Sequence, residues 1–209
     1  MKHFTTLLFT LITLSAAAQG TPQAKEILDK AAAKVKALPA AEVIFTLSME
    51  NPEEGIEETH NGHAWMKGNL YRLDLMDVEN YYDGEVIYTY MPDVQEVNIK
   101  NPSDEEEGFL NPATLFDIHN QGFTQKLVSH TGGIAYIELT PTEEKGFSKI
   151  GIWVNTADSS IRKVTSFGKD GNQITISITR ITTPSPLPSD AFFRFDTAAH
   201  PDVEVIDLR

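Results

Sequence analysis

Two histidines stand close together in the segment His60-Asn61-Gly62-His63, and this spacing is the strongest hint of metal chemistry in the chain. Histidine is a common zinc ligand, so the pair could supply two ligands if a third group approached from another strand. No H-E-x-x-H or other supporting spacing accompanies the pair. We therefore predict that both are exposed turn histidines and that the protein has no metal site.

The candidates for catalysis are equally weak. The chain has no cysteine, which excludes a cysteine nucleophile. Gly146-Phe147-Ser148 begins like the G-x-S-x-G elbow of serine hydrolases, but the next glycine, Gly151, stands one place late. The acidic run Asp104 to Glu107 lacks the alternating order of a calcium loop. Paired carboxylates for glycoside hydrolysis have no sequence signature. We predict no catalytic residues and no cofactor.

Residues 1–18 have the pattern of a signal peptide. Lys2 and His3 precede an uncharged run from Phe4 to Leu14, and the small residues Ser15 to Ala18 follow. The run is shorter than the ~20 apolar residues that cross a bilayer, and threonines interrupt it. We therefore predict cleavage after Ala18 and a soluble, exported protein.

The charge balance excludes several classes of partner. The chain has 30 Asp and Glu residues against 17 Lys and Arg, a formal net charge of −13. Nucleic acid, anionic bilayer surfaces and acidic polysaccharides all attract basic patches, so none of them is an expected partner. The absence of cysteine excludes a disulfide scaffold and also an acylated N-terminal cysteine, so the protein is not itself a lipoprotein.

Periodicity predicts one helix followed by many strands in a single domain, residues 19–209. Thr21-Pro22 and the apolar spacing that follows predict an amphipathic helix ended by Pro39. From Glu42 the period changes to two, and short turns predict an antiparallel meander.

A short helix is expected from Asn111 to Gln121. Later strands are expected at 123–129, 134–140, 150–155, 161–167, 173–181 and 193–195, with two-residue hairpin turns at Gly132-Gly133 and Asp170-Gly171. The fold class is mainly β (α+β): a curved, unclosed antiparallel barrel of about 10–11 strands with helices on its concave face.

A surplus of apolar residues occupies alternate positions of the early strands, and we predict that they face one side. They are Phe45, Leu47, Met49, Met66, Leu73, Leu75, Tyr88, Tyr90, Val97 and Ile99. Two interpretations are open. The residues form a packed core, or the helices cover them loosely and leave a cavity for acyl chains, for which methionine and leucine provide an adaptable lining.

These features together resemble the LolA family of outer-membrane lipoprotein carrier proteins. The resemblance rests on the N-terminal helix, Phe45-Thr46, Gly62-x-x-Trp65-x-Lys67, Asp83-Gly84-x-x-x-x-x-Tyr90-x-Pro92, the hairpin at Asp170-Gly171 and the last segment Asp190-Ala191-x-Phe193-x-Phe195 with Pro201-x-Val203-x-Val205-x-Asp207. It implies a half-barrel whose apolar concave face is capped by helices. It also implies a monomeric periplasmic carrier of acylated lipoproteins or other lipids, with an inner-membrane donor complex and an outer-membrane acceptor. The resemblance also implies that the helix after Asn111 is a lid, and Leu115, Phe116 and Ile118 are its predicted lid residues.

The sequence departs from the family pattern at two places. The family commonly has Arg-Pro after the W-x-K of the second strand, and that arginine helps to hold the lid, whereas this chain has Gly68-Asn69. Leu47 stands where the family favours glutamine. Two alternatives to a carrier are an envelope sensor or interaction module on the same scaffold, and a small enzyme acting on lipid or glycan.

Overall fold

The computed structural model of this protein describes residues 21–102 and 111–209. The predicted signal peptide, residues 1–18, and the acidic run Asp104 to Glu107 lie outside the described residues, so both stay predictions. No helix in the described part of the chain is long and apolar enough to cross a membrane.

The N-terminal helix α1 spans Pro22–Lys36 and confirms the amphipathic pattern. Proline is favourable at the first helical position because the N–H that it lacks would have no intrahelical partner there. The helix ends at Lys36, ahead of Leu38 and Pro39, and the N–H of Ala37 closes its last turn on the carbonyl of Ala33, 3.0 Å away. Its buried side consists of Ala24, Leu28, Ala31 and Ala32.

Twelve strands form one sheet in the described residues. They are β1 (Ala41–Asn51), β2 (Ile56–Lys67), β3 (Leu70–Leu75), β4 (Val78–Tyr82), β5 (Ile87–Met91), β6 (Glu96–Lys100), β7 (Phe123–Thr131), β8 (Ile134–Pro141), β9 (Phe147–Asn155), β10 (Ser160–Gly168), β11 (Gln173–Thr182) and β12 (Glu204–Asp207). β1 to β6 and β7 to β11 are two antiparallel meanders, and β1 pairs with β11 to join them. The sheet is curved and does not close into a barrel.

Hairpin geometry follows the turn residues. Gly132 and Gly133 both have positive φ and connect Thr131 directly to Ile134, as a two-residue turn requires. The turn at Asp170-Gly171 is longer than predicted, because β10 ends at Gly168 and β11 resumes at Gln173.

The C-terminal segment differs from the prediction. Residues 193–195 do not form a strand. Phe193 ends a short 3₁₀ turn (Asp190–Phe193), and Phe193 and Phe195 are buried against the sheet instead of pairing in it. The segment then returns along the edge, so that β12 pairs with β6 in parallel. The sheet is therefore antiparallel except at this edge.

Residues that oppose each other in paired strands lie on the same side of a sheet. Following the register from Phe45 to Gly62, and from Gly62 to Leu75, defines the inner face. Helix α1 packs on this face over β7, β9 and β10, and the four-residue helix α2 (Pro112–Leu115) packs on it over β2 and β3. The opposite side is the outer face. The predicted architecture, an open sheet with helices on its concave side, is confirmed.

Candidate functional site

The floor of the candidate site is the inner face of β1, β2 and β3. Six of the ten predicted cavity residues lie in its hydrophobic cluster: Phe45, Leu47, Met49, Met66, Leu73 and Leu75. Phe45, Leu47, Met66 and Leu73 are buried, and Met49 and Leu75 are part-buried. The period-two pattern therefore places these side chains on one apolar surface, as predicted.

The remaining four predicted residues lie on the outer face. Tyr88 of β5 opposes Tyr81 of β4, and the side chain of Tyr81 lies on the outer face. Tyr90, Val97 and Ile99 follow the same side, and the four form a separate cluster with Phe195. The prediction that all ten face one side is therefore wrong for Tyr88, Tyr90, Val97 and Ile99.

The register before β5 explains this correction. Tyr82 lies on the inner face, because it opposes Tyr71 of β3. The turn that follows pairs Tyr82 with Ile87, so the odd-numbered residues of β5 face inward and Tyr88 faces outward. A difference of one residue in a strand moves all its side chains to the other face.

The lid covers the floor, but it is not the single helix that was predicted. Helix α2 ends at Leu115, and a 3₁₀ turn at Ile118–Asn120 follows it. We call residues 111–121 the lid. Leu115, Phe116 and Ile118 are all buried and belong to the same cluster as the floor residues. The three residues predicted for the lid therefore do face the apolar floor.

A small apolar cavity lies between the lid and the floor. Its volume is about 30 Å³. It is lined by apolar residues only, among them Val43, Phe45 and Leu73 from the sheet and Leu115 and Phe116 from the lid. A long acyl chain needs many times this volume. In this structure the lid residues Leu115 and Phe116 pack closely against the floor.

Helix α1 holds the lid through polar contacts that the sequence analysis missed. Nε2 of His119 lies 3.0 Å from Oδ1 of Asp29, and the histidine side chain is 2% exposed. Lys36 pairs with Asp117 at 2.9 Å, and Nζ of Lys25 donates to Oδ1 of Asn120 at 3.3 Å. We call these three contacts the lid latch. The two residues of each contact are 81 to 95 positions apart in the chain, so no local sequence pattern could predict the pairs. The one sequence feature that pointed toward a polar contact was the histidine within the predicted lid helix, His119.

Charge strengthens the lid latch. Hydrogen bonds from Lys25 and His119 hold the pKa of Asp29 below its usual range. Burial raises the pKa of Asp117, but hydrogen bonds from Lys36 and Asn120 outweigh it and lower this pKa as well. Both carboxylates are therefore ionised at neutral pH. In this chain, which has Gly68-Asn69 after Lys67, the contacts from α1 hold the lid.

Gly62 is required by the packing of the floor. It opposes Phe45, and a Cβ atom at position 62 would lie 2.1 Å from Cζ of the Phe45 ring. The ring therefore lies across the backbone of Gly62, where only hydrogen leaves enough room. This contact explains why a glycine accompanies the phenylalanine in the first two strands.

The histidine pair does not form a metal site. His60 opposes Leu47 on the inner face, whereas His63 opposes Ile44 on the outer face, so the two rings point to opposite sides of the sheet. His63 contacts Glu42 at 2.9 Å, and His60 lies 3.5 Å from Glu58. Both lie in β2 and their side chains are only about one-third exposed, so the prediction of exposed turn histidines is wrong. Among residues 21–102 and 111–209, no group of three His, Asp or Glu side chains is arranged to hold a metal ion.

Several residues of the predicted family pattern have structural roles on the outer face. Trp65 packs edge-on against Phe192, with ring centroids 5.4 Å apart, and Lys67 donates to the carbonyl of Pro188 and to Asp190. These contacts attach the C-terminal segment to the sheet. Oδ1 of Asp83 accepts the backbone N–H groups of residues 85 and 86, forming the turn before β5. These residues therefore build the scaffold and do not touch the cavity.

Comparisons with known proteins agree with this architecture. The family model described as "Outer membrane lipoprotein carrier protein LolA" matches residues 81–196. The chain is similar to an uncharacterised conserved protein of Thermus thermophilus, with a TM-score of 0.57, 12% identity, and coverage of 88% of this chain and 99% of the other. A LolA superfamily protein from Nitrosomonas europaea has a TM-score of 0.47 and 15% identity over 83% of this chain and 98% of its own. At these identities the similarity concerns the fold. No curated protein matches the sequence at a significant level.

Proposed function

This chain belongs to the LolA family of outer membrane lipoprotein carrier proteins, and we propose that it binds the acyl chains of lipoproteins, or of related lipids, and carries them through the periplasm to the outer membrane. The observation that supports this function most directly is the wholly apolar cavity between the inner face and the lid. The proposal includes removal of residues 1–18 and a single domain from residue 19 to 209.

The physical need for such a carrier is large. Each CH₂ group buried from water contributes ~0.8 kcal/mol, so the acyl chains of one lipoprotein are insoluble without a cover. Six floor residues supply an apolar surface, and the lid residues Leu115, Phe116 and Ile118 complete it. When the lid moves away, acyl chains take its place against the floor, and the lid closes again after release.

Release depends on a moderate affinity for the cargo. A carrier must bind acyl chains more weakly than the next acceptor does, and a lid that competes for the same floor lowers the affinity by the cost of displacing it. The buried area of Phe116 and its neighbours therefore sets part of the affinity. We propose an inner-membrane donor complex and an outer-membrane acceptor as partners, and a binding activity without catalysis.

Native mass spectrometry of the protein isolated from the periplasm tests the proposal. We expect a stoichiometric acylated adduct that organic extraction releases, and uptake of an added triacylated lipopeptide by the stripped protein. The same peptide without its acyl chains is the control and should not bind. A clean apo mass together with rejection of the lipopeptide would contradict carriage.

A second function is favoured by one observation, the small size of the cavity. At about 30 Å³ the interior is nearly filled, as in a domain that binds a protein partner through its surface. An envelope sensor or interaction module would capture a regulatory protein without any lipid. The lipopeptide experiment separates the two functions, because only the carrier opens for the acylated peptide.

A further inference from the structure

A second cavity opens at the end of the half-barrel beside the last turn of α1. Its volume is about 360 Å³, twelve times that of the apolar cavity under the lid. Val35 of α1 and Leu38, which follows the helix, form one side, and Ile161, Ile178 and Ile181 form the sheet side. We call this cavity the mouth.

The mouth borders the proposed acyl site. Ile178 lines both cavities, and Ile181, which lines the mouth, is paired across the sheet with Val43, which lines the apolar cavity. A group attached to the end of an acyl chain that lies under the lid would therefore come next to the mouth. The residues around the mouth select that group.

The rim of the mouth is cationic, although the chain as a whole carries a net charge of −13. Lys34, Arg162 and Arg180 line it, with Asp158 as the one acidic lining residue. Nζ of Lys34 donates to the carbonyl oxygen of Asp158 at 2.6 Å, and a guanidinium nitrogen of Arg162 lies 3.2 Å from its Oδ2. Arg180 opposes Ile44 at the outer side of the rim, is exposed, and has no ion-pair partner within the described residues.

Hydroxyl groups complete the rim. Ser159, Thr179, Thr182 and Thr183 line the same cavity. Guanidinium, ammonium and hydroxyl donors around an opening whose floor is apolar match a phosphate group attached to an acyl chain, because phosphate oxygens accept several charge-assisted hydrogen bonds at once.

We propose that the mouth binds the phosphate headgroup of a glycerophospholipid whose acyl chain lies under the lid. This inference rests on the proposed function and names the cargo class: an anionic phospholipid is taken in preference to a neutral acylated molecule. Lys34, Arg162 and Arg180 are the phosphate-binding residues, and Asp158 weakens the site by partly neutralising two of them.

A matched pair of ligands isolates the headgroup. 1-Palmitoylglycerol and 1-palmitoylglycerol 3-phosphate have the same acyl chain and differ in the phosphate alone. Binding of each is measured by isothermal titration below its critical micelle concentration. We expect the phosphate form to bind about tenfold more tightly to the wild-type protein at low salt, and the preference to shrink as salt screens the exposed charges.

Charge variants of the rim give opposite expected shifts. The double variant Arg162→Gln with Arg180→Gln should remove most of the preference, and Asp158→Asn should increase it several-fold. Lys163→Gln is the matched control, because Lys163 does not line the mouth and lies over the Trp153 ring, 3.8 Å from its centroid. All three variants should bind the neutral ligand as the wild type does.

Each outcome decides a different point. Equal binding of the two ligands, or a preference that the double variant and the control change alike, overturns the mouth as a phosphate site and leaves the carrier function standing. Failure of both ligands and of the triacylated lipopeptide to bind contradicts the carrier function itself.

Discussion

Nε2 of His119 in the lid lies 3.0 Å from Oδ1 of Asp29 in α1. A carboxylate only accepts hydrogen bonds, so the histidine ring donates its N–H. The ring is 2% exposed, and its backbone carbonyl also accepts from Nε2 of Gln125 at 2.6 Å. One residue thus joins the lid to α1 and to β7, and the opening that the proposed carrier function requires would have to break this junction.

Replacing Asp29 by alanine should speed ligand entry. The substitution removes the acceptor of the buried His119 N–H, which costs about 1 kcal/mol of unfolding free energy. We expect faster uptake of a fluorescent fatty acid in stopped-flow measurements and a slightly lower Tm. Glu26→Ala is the control, since Glu26 lies in the same helix and pairs only with Lys30 among the described residues. Equal rates for both variants would show that the lid latch does not limit entry.

Acid should open the lid. The folded-state pKa values of Asp29 and Asp117 both lie below the ordinary value of 3.8. A lowered carboxyl pKa contributes stability that is complete above the unfolded value and disappears as pH falls through the folded value. We therefore expect constant uptake rates from pH 7 to about pH 5 and faster uptake below pH 4, measured while circular dichroism confirms the fold. A rate that is flat down to acid unfolding would contradict this role.

The contacts of the lid with α1 could not be predicted from the sequence, and the reason is physical. Thr21-Pro22 and the helical spacing located α1 because caps and amphipathicity are local properties. Asp29 and His119, in contrast, meet only after the sheet has positioned both elements. The same reason explains why the lid is not one continuous helix. The sequence pattern after Asn111 is satisfied by four helical residues, and the packing of Phe116 and Ile118 determines the conformation of the remaining lid residues.

Truncating Phe116 should enlarge the cavity. Phe116 is buried and lines the apolar cavity, so Phe116→Ala removes a ring without a compensating contact. We expect a loss of about 3–5 kcal/mol of unfolding free energy and tighter binding of a palmitoyl chain, which fills the space. Ligand should raise the Tm of the variant more than that of the wild type. A smaller shift in the variant would argue that acyl chains bind elsewhere.

The two faces of the sheet separate packing from binding. Val43 lines the apolar cavity, whereas Val97 is buried in the outer-face cluster. Val→Ala at either position should cost about 1–2 kcal/mol of stability, but only Val43→Ala should change the affinity for acyl chains. Urea unfolding and a fatty-acid titration measure the two quantities. An equal change of affinity in both variants would place ligand on both faces.

Adding a methyl group at Gly62 should disturb the floor. Because the new Cβ would overlap the Phe45 ring, Gly62→Ala forces that ring toward the lid. We expect a loss of about 1–3 kcal/mol of unfolding free energy and weaker retention of the lid. Hydrogen exchange of residues 111–121 is the readout. The double variant Gly62→Ala with Phe45→Leu should recover part of the stability, since the shorter side chain makes room.

The alternation of side chains within each strand was predictable from the sequence. Which face of the sheet each set of side chains occupies was only partly predictable. Phe45, Leu47 and Leu73 have the predicted orientation because β1 to β3 form successive hairpins whose register keeps them on one face. Tyr88 and Val97 do not, because the turn stabilised by Asp83 sets a register in which the even-numbered residues of β5 face outward. Period two determines which residues share a face within a strand, and the turn geometry determines which face that is.

The open sheet leaves two edges that could pair with other chains. At one edge the backbone N–H of Thr21 donates to the carbonyl of Gln125, and its hydroxyl accepts the N–H of Leu127, so part of β7 is already occupied. At the other edge β12 covers β6 and presents Glu204 and Asp207. Exposed edges are templates for fibrous aggregation, and acidic residues or short covering segments suppress it. The two ends of the described chain therefore protect both edges of the unclosed sheet against pairing with other chains.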